Sequence, residues 1–276
     1  MEGYAYYNGK IGRCNDISIP LTDRLVYFGD GVYDVITGHS GKLFLAEDHL
    51  DRLFFGIKAL DIIVDFTKRE LLSLIEEMIA VSAYRSYLLY ISISRSANER
   101  RHSSINCTTS NLLIIIKEFQ ICNYNGLNLI TLEDNRYNYC NIKTVNLLPS
   151  VIAATEAEIA GCDEAIFVRD DIVTECAHSN IFILRNDRLI THPESTHILP
   201  GIIRKYLIKI AADCGVQTQE QRFTLSDLFD ADEVIITSTT KLVKEAITIN
   251  GNQVGGKNKY LLSKFKHAIE QSYQNI

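Results

Sequence analysis

From residue 47 to residue 80 the apolar positions recur with helical spacing. Leu50, Leu53, Phe54, Ile57 and Leu60 fall at i, i+3, i+4, i+7 and i+10, so one apolar stripe runs along a helix that starts near Glu47. Thr67-Lys68-Arg69-Glu70 then has the spacing of a capping box, and Leu71, Leu74, Ile75, Met78 and Ile79 carry a second amphipathic helix onward. Tyr87–Ile93 and Leu112–Ile116 are rich in β-branched and aromatic residues and predict strands, the second of them buried on both faces. Together these elements predict a small N-terminal α/β layer.

The periodicity drops at QICNYNG, where Asn and Gly cluster, and this predicts a domain junction. The expected division is an N-terminal domain over 1–119, a linker over 120–126 and a C-terminal domain over 127–276. Beyond the junction, strands are expected at Leu127–Leu132, Glu164–Arg169, Asn180–Leu184 and Glu233–Thr237. Helical patterns at Pro149–Ala160, Gly201–Asp213 and Lys257–Ser272 interleave with them. The second half is therefore again mixed α and β, with no internal repeat or low-complexity tract.

Composition narrows the function classes. Of 276 residues, 46% are apolar and 22% charged, which is a globular composition and excludes disorder as the main state. Lys and Arg number 28 against 34 Asp and Glu, a net charge of −6 without a long basic run, so nucleic acid is not an expected partner. The 7 cysteines are scattered and form no C-x-x-C pair, so neither a disulfide framework nor a metal site is expected, and a cytoplasmic location fits. MEGYAYYNGKIGRCND carries no apolar signal core, and no run of about 18 uncharged apolar residues follows, so no membrane association is expected.

Candidate chemistry starts at Lys143, the single charged residue between Arg136 and Glu156. An amine in so neutral a stretch is expected to be partly desolvated, which lowers its pKa and frees it as a nucleophile; the plain alternative is a lysine snorkelling from an edge strand. Thr237-Ser238-Thr239-Thr240 follows an apolar run, and Pro200-Gly201-Ile202-Ile203 opens a helix whose first amides would face an anion. Either feature alone is commonly structural. Arg52 sits beside the apolar stripe of the first helix, placed to reach inward as an anchor or to pair with Asp48 on the surface.

These residues fall inside six ordered motifs: FGDGVYDV at Phe28–Val35, EDHLDRL at Glu47–Leu53, NIKTVNLL at Asn141–Leu148, VTECAHSN at Val173–Asn180, LPGIIR at Leu199–Arg204 and TSTT at Thr237–Thr240. In that pattern the chain resembles the fold-type IV pyridoxal-phosphate enzymes, the class IV aminotransferases, and within them the D-amino acid aminotransferases. The resemblance implies an α+β architecture of two domains, an N-terminal α/β layer and a C-terminal mixed α/β barrel-like domain, with pyridoxal 5′-phosphate between them. It implies that Lys143 bonds the cofactor as a Schiff base, the internal aldimine of a ping-pong reaction, and that Glu175 pairs with the pyridinium nitrogen. Arg52, the Ile202 and Ile203 amides, Ser238 and Thr239 match the phosphate cup. Ile203 stands where a threonine is often found, which leaves that contact to its backbone.

For the substrate end, Arg100 and His102 match a carboxylate trap with Arg-x-His spacing, completed by the hydroxyl of Tyr33. Without the resemblance, Glu99-Arg100-Arg101-His102 reads as a solvated basic loop. The implied activity moves the amino group of a D-amino acid such as D-alanine to a 2-oxo acid such as 2-oxoglutarate, in a homodimer. Cys176-Ala177-His178 departs from the Gly/Ser-rich stretch usual after this glutamate, and the cysteine is reminiscent of the aminodeoxychorismate lyases. A lyase of that type and a branched-chain aminotransferase stay open as alternatives. A phosphate-ligand binding module that has lost its chemistry is the non-enzymatic reading, against which the presence of both Lys143 and Glu175 counts.

Overall fold

The computed structural model describes residues 3–121 and 126–276. Of the expected linker 120–126, residues 122–125 lie outside the described residues. The chain divides into two compact units, one made of Met1–Gln120 with Ile142–Asn146 and Ile276, the other of Ile121–Asn141 with Leu147–Asn275.

The first unit contains β1 (Tyr4–Tyr7), β2 (Lys10–Arg13), α1 (Arg24–Phe28), β3 (Gly31–His39), β4 (Lys42–Leu43), α2 (Ala46–Ala59), α3 (Lys68–Ser82), β5 (Ser86–Arg95) and β6 (Ser110–Glu118). Its strands form a six-stranded antiparallel sheet in the order β2-β1-β6-β5-β3-β4. Register puts Val32, Ile36, Leu89, Ile91, Ile114 and Ile116 on one face, because side chains alternate along each strand and these positions pair across the sheet. Leu50, Leu53 and Ile57 of α2, with Leu71, Ile75 and Met78 of α3, close the core over that face. The capping box of α3 is present: Glu70 N donates to Thr67 Oγ1 at 3.2 Å and Thr67 N to Glu70 Oε2 at 2.7 Å.

The second expected strand is not buried on both faces as the sequence reading has it. Central β5 is the strand buried through most of its length, whereas in β6 the buried Leu112, Ile114 and Ile116 alternate with half-exposed Leu113 and Ile115. An unbroken apolar run records composition, and only one of its two faces meets the helices here.

The second unit contains β7 (Leu127–Glu133), α4 (Leu148–Ile159), β8 (Glu164–Arg169), β9 (Ile172–Cys176), β10 (Asn180–Arg185), β11 (Arg188–Thr191), α5 (Ile202–Asp213), β12 (Gln217–Glu220), α6 (Leu225–Asp230), β13 (Glu233–Ser238), β14 (Leu242–Ile249), β15 (Asn252–Gln253) and α7 (Lys259–Gln274). The strands run in the order β12-β11-β10-β13-β14-β7-β8-β9, with β15 added to β14. In a flat sheet β9 and β10 would be five strand spacings apart, roughly 24 Å, yet a three-residue link that reaches at most about 14 Å joins them. The sheet therefore curls toward a barrel. Leu129, Ile166, Ile181, Ile183, Val234 and Ile236 pack within it.

The expected assignment of all of 127–276 to one domain differs from the structure at Ile142–Asn146, which groups with the first unit. Backbone pairing is the cause: Thr144 bridges Val32, Tyr33 N donates to Lys143 O at 2.9 Å, and Val145 N donates to Gly31 O at 3.3 Å. Ile142 joins the first core. Among the described residues no helix is long and apolar enough to cross a membrane.

Candidate active site

On the first unit, the site residues gather at the start of β3. Alternation sends Asp34 to the core face and Tyr33 to the opposite one. Lys143, half-buried beside this edge, holds Nζ 4.3 Å from the Tyr33 ring centroid, and that ring stacks on Tyr90 at 5.3 Å. On the core face Arg52 of α2 donates through Nε and Nη2 to the two Asp34 oxygens, each at 2.8 Å. His49, one turn earlier on α2, meets Asp34 Oδ1 through Nδ1 at 2.7 Å.

The Asp34 carboxylate and the His49 imidazole are both 0% exposed, so their charge states follow from their neighbours. Burial raises the Asp34 pKa, but Arg52 and His49 together outweigh it and hold the carboxyl well below the usual range. Burial also lowers the pKa of His49, and the positive charges of Arg52 and Lys143 add to that against the pull of Asp34. The imidazole is therefore neutral, with Nδ1 donating to Asp34 and a buried Nε2 that has no hydrogen-bond partner.

Arg100 and His102 occupy the exposed loop after β5. Both touch the same ring: Arg100 lies 5.3 Å and His102 5.2 Å from Phe28. Arg24, buried in α1, fixes the loop by donating to the carbonyls of Arg101 and His102, and pairs with Asp30 at 2.7 Å. Gly29 ends α1 with φ +60°, where a Cβ would stand 2.8 Å from Asn146 Oδ1.

On the second unit, Glu175 near the end of β9 is 5% exposed. Asn180 Nδ2 and Leu199 N donate to its Oε2 at 2.9 and 3.0 Å, and Arg136 Nη1 donates to Oε1. Arg136 is shared, since its Nε and Nη2 bind Asp134 at 2.9 Å each and Nη2 also reaches His197 O at 2.9 Å. Burial pushes the Glu175 carboxyl up to about 7 in spite of Arg136. Asp134, paired with the same arginine, is lowered to about 2 although burial opposes it.

Ile202 and Ile203 begin α5 with both side chains buried, so only their amides are available to a ligand. No side chain caps the preceding Gly201, and a Cβ there would come within 2.0 Å of Asn180 Oδ1, so glycine lets this turn close onto the residue that holds Glu175. Ser238 ends β13 and Thr239 follows in the turn; the neighbouring Thr237 Oγ1 is buried without a hydrogen-bond partner.

The family described as "Amino-transferase class IV" matches residues 31–246. The chain belongs to the class IV aminotransferases. It is 32% identical over 252 residues to a D-alanine aminotransferase of Bacillus licheniformis, covering 90% of this chain and 89% of that one. To the D-alanine aminotransferase of Listeria monocytogenes serotype 4b (strain F2365) it is 33% identical over 277 residues, covering 97% and 95%. The branched-chain aminotransferase of Thermoproteus uzoniensis shares the fold with a TM-score of 0.89 at 22% identity, covering 99% of this chain and 96% of that chain. The Escherichia coli branched-chain enzyme does so with 0.84 at 22%, covering 99% and 95%. Class IV aminotransferases work with pyridoxal 5′-phosphate. Taken by itself, the second unit has donors that suit that group: a buried carboxyl at Glu175, an uncapped helix start at Gly201, and an orphaned buried hydroxyl at Thr237 next to Ser238; the first unit, taken by itself, offers the Lys143 amine.

Sequence reading singled out neither Asp34, His49 nor Arg136. Asp34 and His49 lie inside two of the quoted motifs, and their pairing across 15 residues needs β3 laid against α2. Arg136 carried one local signal, its position two residues from Asp134 at the end of β7.

Proposed function

We propose that this class IV aminotransferase takes the amino group of a D-amino acid such as D-alanine and passes it to a 2-oxo acid such as 2-oxoglutarate, as a cytoplasmic homodimer. One observation carries the substrate assignment: Arg100 and His102 stand against one ring, Phe28, on a loop whose carbonyls the buried Arg24 holds. Two cationic or hydrogen-bonding groups on one side suit a planar carboxylate. The D-alanine aminotransferases similar to this chain over nine tenths of its length support the same reading.

When bound, pyridoxal 5′-phosphate supplies an electrophilic carbonyl and an electron-withdrawing ring. The protein's part is then binding and proton management. Arg52, aligned by its two bonds to Asp34, the Ile202 and Ile203 amides, Ser238 and Thr239 would hold the phosphate. Lys143 Nζ is the attachment point and takes and returns the substrate α-proton. Glu175, with a carboxyl near neutrality, keeps a proton at the ring nitrogen. Tyr33 lends its hydroxyl to the substrate carboxylate alongside Arg100 and His102.

The test is stereospecific. With 2-oxoglutarate as acceptor, D-alanine should turn over and L-leucine should not; L-leucine turnover alone gives the branched-chain reading, and pyruvate released from aminodeoxychorismate gives the lyase reading. Within that assay Arg100→Ala should lower kcat/KM for D-alanine about tenfold or more through KM, the equivalent of roughly 1.5–3 kcal/mol for a charge-assisted contact. Loss of bound cofactor without a KM effect would remove Arg100 from the trap.

A further inference from the structure

Glu164 opens β8 with a carboxylate that is 0% exposed, and the groups it binds come from two separate turns. From the link between β9 and β10, His178 N donates to Oε1 and Ser179 Oγ to Oε2, both at 2.9 Å. From the turn between β13 and β14, Lys241 Nζ donates to Oε2 at 2.7 Å, with the lysine side chain 13% exposed. His178 Nε2 lies 3.2 Å from Lys241 Nζ and 3.3 Å from Glu164 Oε2, so the departure Cys176-Ala177-His178 lands in this cluster. Lys241 is tied to its own turn as well, since its backbone N donates to Ser238 Oγ at 3.2 Å.

We infer that Lys241 is a positioning residue for the cofactor: through Glu164 it sets where the Ser238–Thr239 turn stands relative to the Glu175–Asn180 link. The inference rests on the site assignment proposed above, which gives these two turns opposite ends of one bound molecule, its phosphate and its ring nitrogen. A buried carboxylate needs a matched positive charge, and here that charge arrives from the other turn, so the ion pair is a cross-link between them. Ser179 and the His178 amide add a hydrogen bond to each carboxylate oxygen, which holds Glu164 in place against its own link. Neither Lys241 nor Glu164 needs to touch the cofactor for this.

The measurement is the dissociation constant of pyridoxal 5′-phosphate from the reconstituted enzyme by equilibrium dialysis, together with the absorption band of the bound cofactor and the Tm of the cofactor-free protein. Lys241→Met should raise Kd about tenfold or more and move the band, because an unpaired buried carboxylate displaces its turn. Lys241→Arg should stay within about threefold of wild type, since the charge and reach are kept. The double change Lys241→Met with Glu164→Gln removes the unpaired charge and should restore Tm while binding stays weak, because the turns are still unlinked. Recovery of Kd together with Tm would mean that the pair acts on folding alone, and wild-type affinity in Lys241→Met would equally overturn the inference. Glu175→Gln and Ser238→Ala are the reference arms. If neither moves the band or Kd, the site assignment fails and takes the inference with it; if they do and Lys241→Met does not, only the positioning role falls.

Discussion

Each unit buries a carboxylate against an arginine, and the two carboxyls shift in opposite directions. Asp34 has Arg52 through two parallel bonds and His49 as well, and these outweigh its burial to hold it ionised. Glu175 receives one prong of Arg136, whose Nε and Nη2 are committed to Asp134, and burial wins. The presence of an arginine alone therefore does not set the sign of a pKa shift. How many carboxylates divide its donors does. The result suits two tasks: a permanently charged Asp34 aligns Arg52, while a Glu175 near neutrality can hold a proton.

The largest expected effect falls on the amine of the proposed chemistry, which belongs to the Asp34 unit. Lys143→Ala should cost on the order of a thousandfold or more in transamination with the fold intact. It should also raise the pKa of His49, which loses a positive neighbour, as read by NMR titration of the ring. Turnover near the wild-type rate would remove Lys143 from the site. Next, Arg52→Met leaves Asp34 buried and charged with His49 alone, and about 3–5 kcal/mol of stability should disappear in urea unfolding. A loss under about 1 kcal/mol would mean that burial, not Arg52, governs Asp34.

A pH series separates the networks further. The folded state keeps a proton on Glu175 up to about 7, whereas an unfolded glutamate releases it near pH 4.3. Between those values the native state binds more protons, so this group's contribution is fully present below about pH 4.3 and is lost as pH rises to neutrality, by roughly 3 kcal/mol. Glu175→Gln should flatten that slope and slow turnover while retaining bound cofactor; an unchanged slope would show that the carboxyl is ionised throughout. Asp34 behaves conversely, its contribution lost only as pH falls through its depressed value. The smallest change expected is from Asp134→Asn, which returns Arg136 to Glu175 and should lower that carboxyl by about one pH unit in an isotope-edited infrared titration. No movement would leave burial as the sole cause.

Local signals were legible in the chain. The α3 capping box, the α2 stripe and the helix start after Gly201 each depend on residues within a turn or two of one another. The six motifs gave the family. Strand β14 escaped because Lys244 and Glu245 interrupt its apolar run, although Lys244 is 2% exposed. Arg136 escaped because its partners Glu175 and His197 are 39 and 61 residues away, and in the sequence it only bounds a neutral stretch. Lys143 was legible as a lone amine, but its grouping with β3 was not, since pairing with the Gly31–Tyr33 edge leaves no periodic mark in five residues.

Those five residues give the chain an order of assembly. As the polypeptide leaves the ribosome, everything up to Gln120 emerges before Ile142–Asn146, at roughly 5–20 residues per second. For about one to four seconds the emerged part of the first unit lacks the segment that covers the edge of β3 at Gly31 and Tyr33. An open strand edge of that kind can be capped by another chain as readily as by its own. The lysine segment thus doubles as the cover of that edge, and a fragment cut at residue 120 is expected to aggregate through the edge left bare.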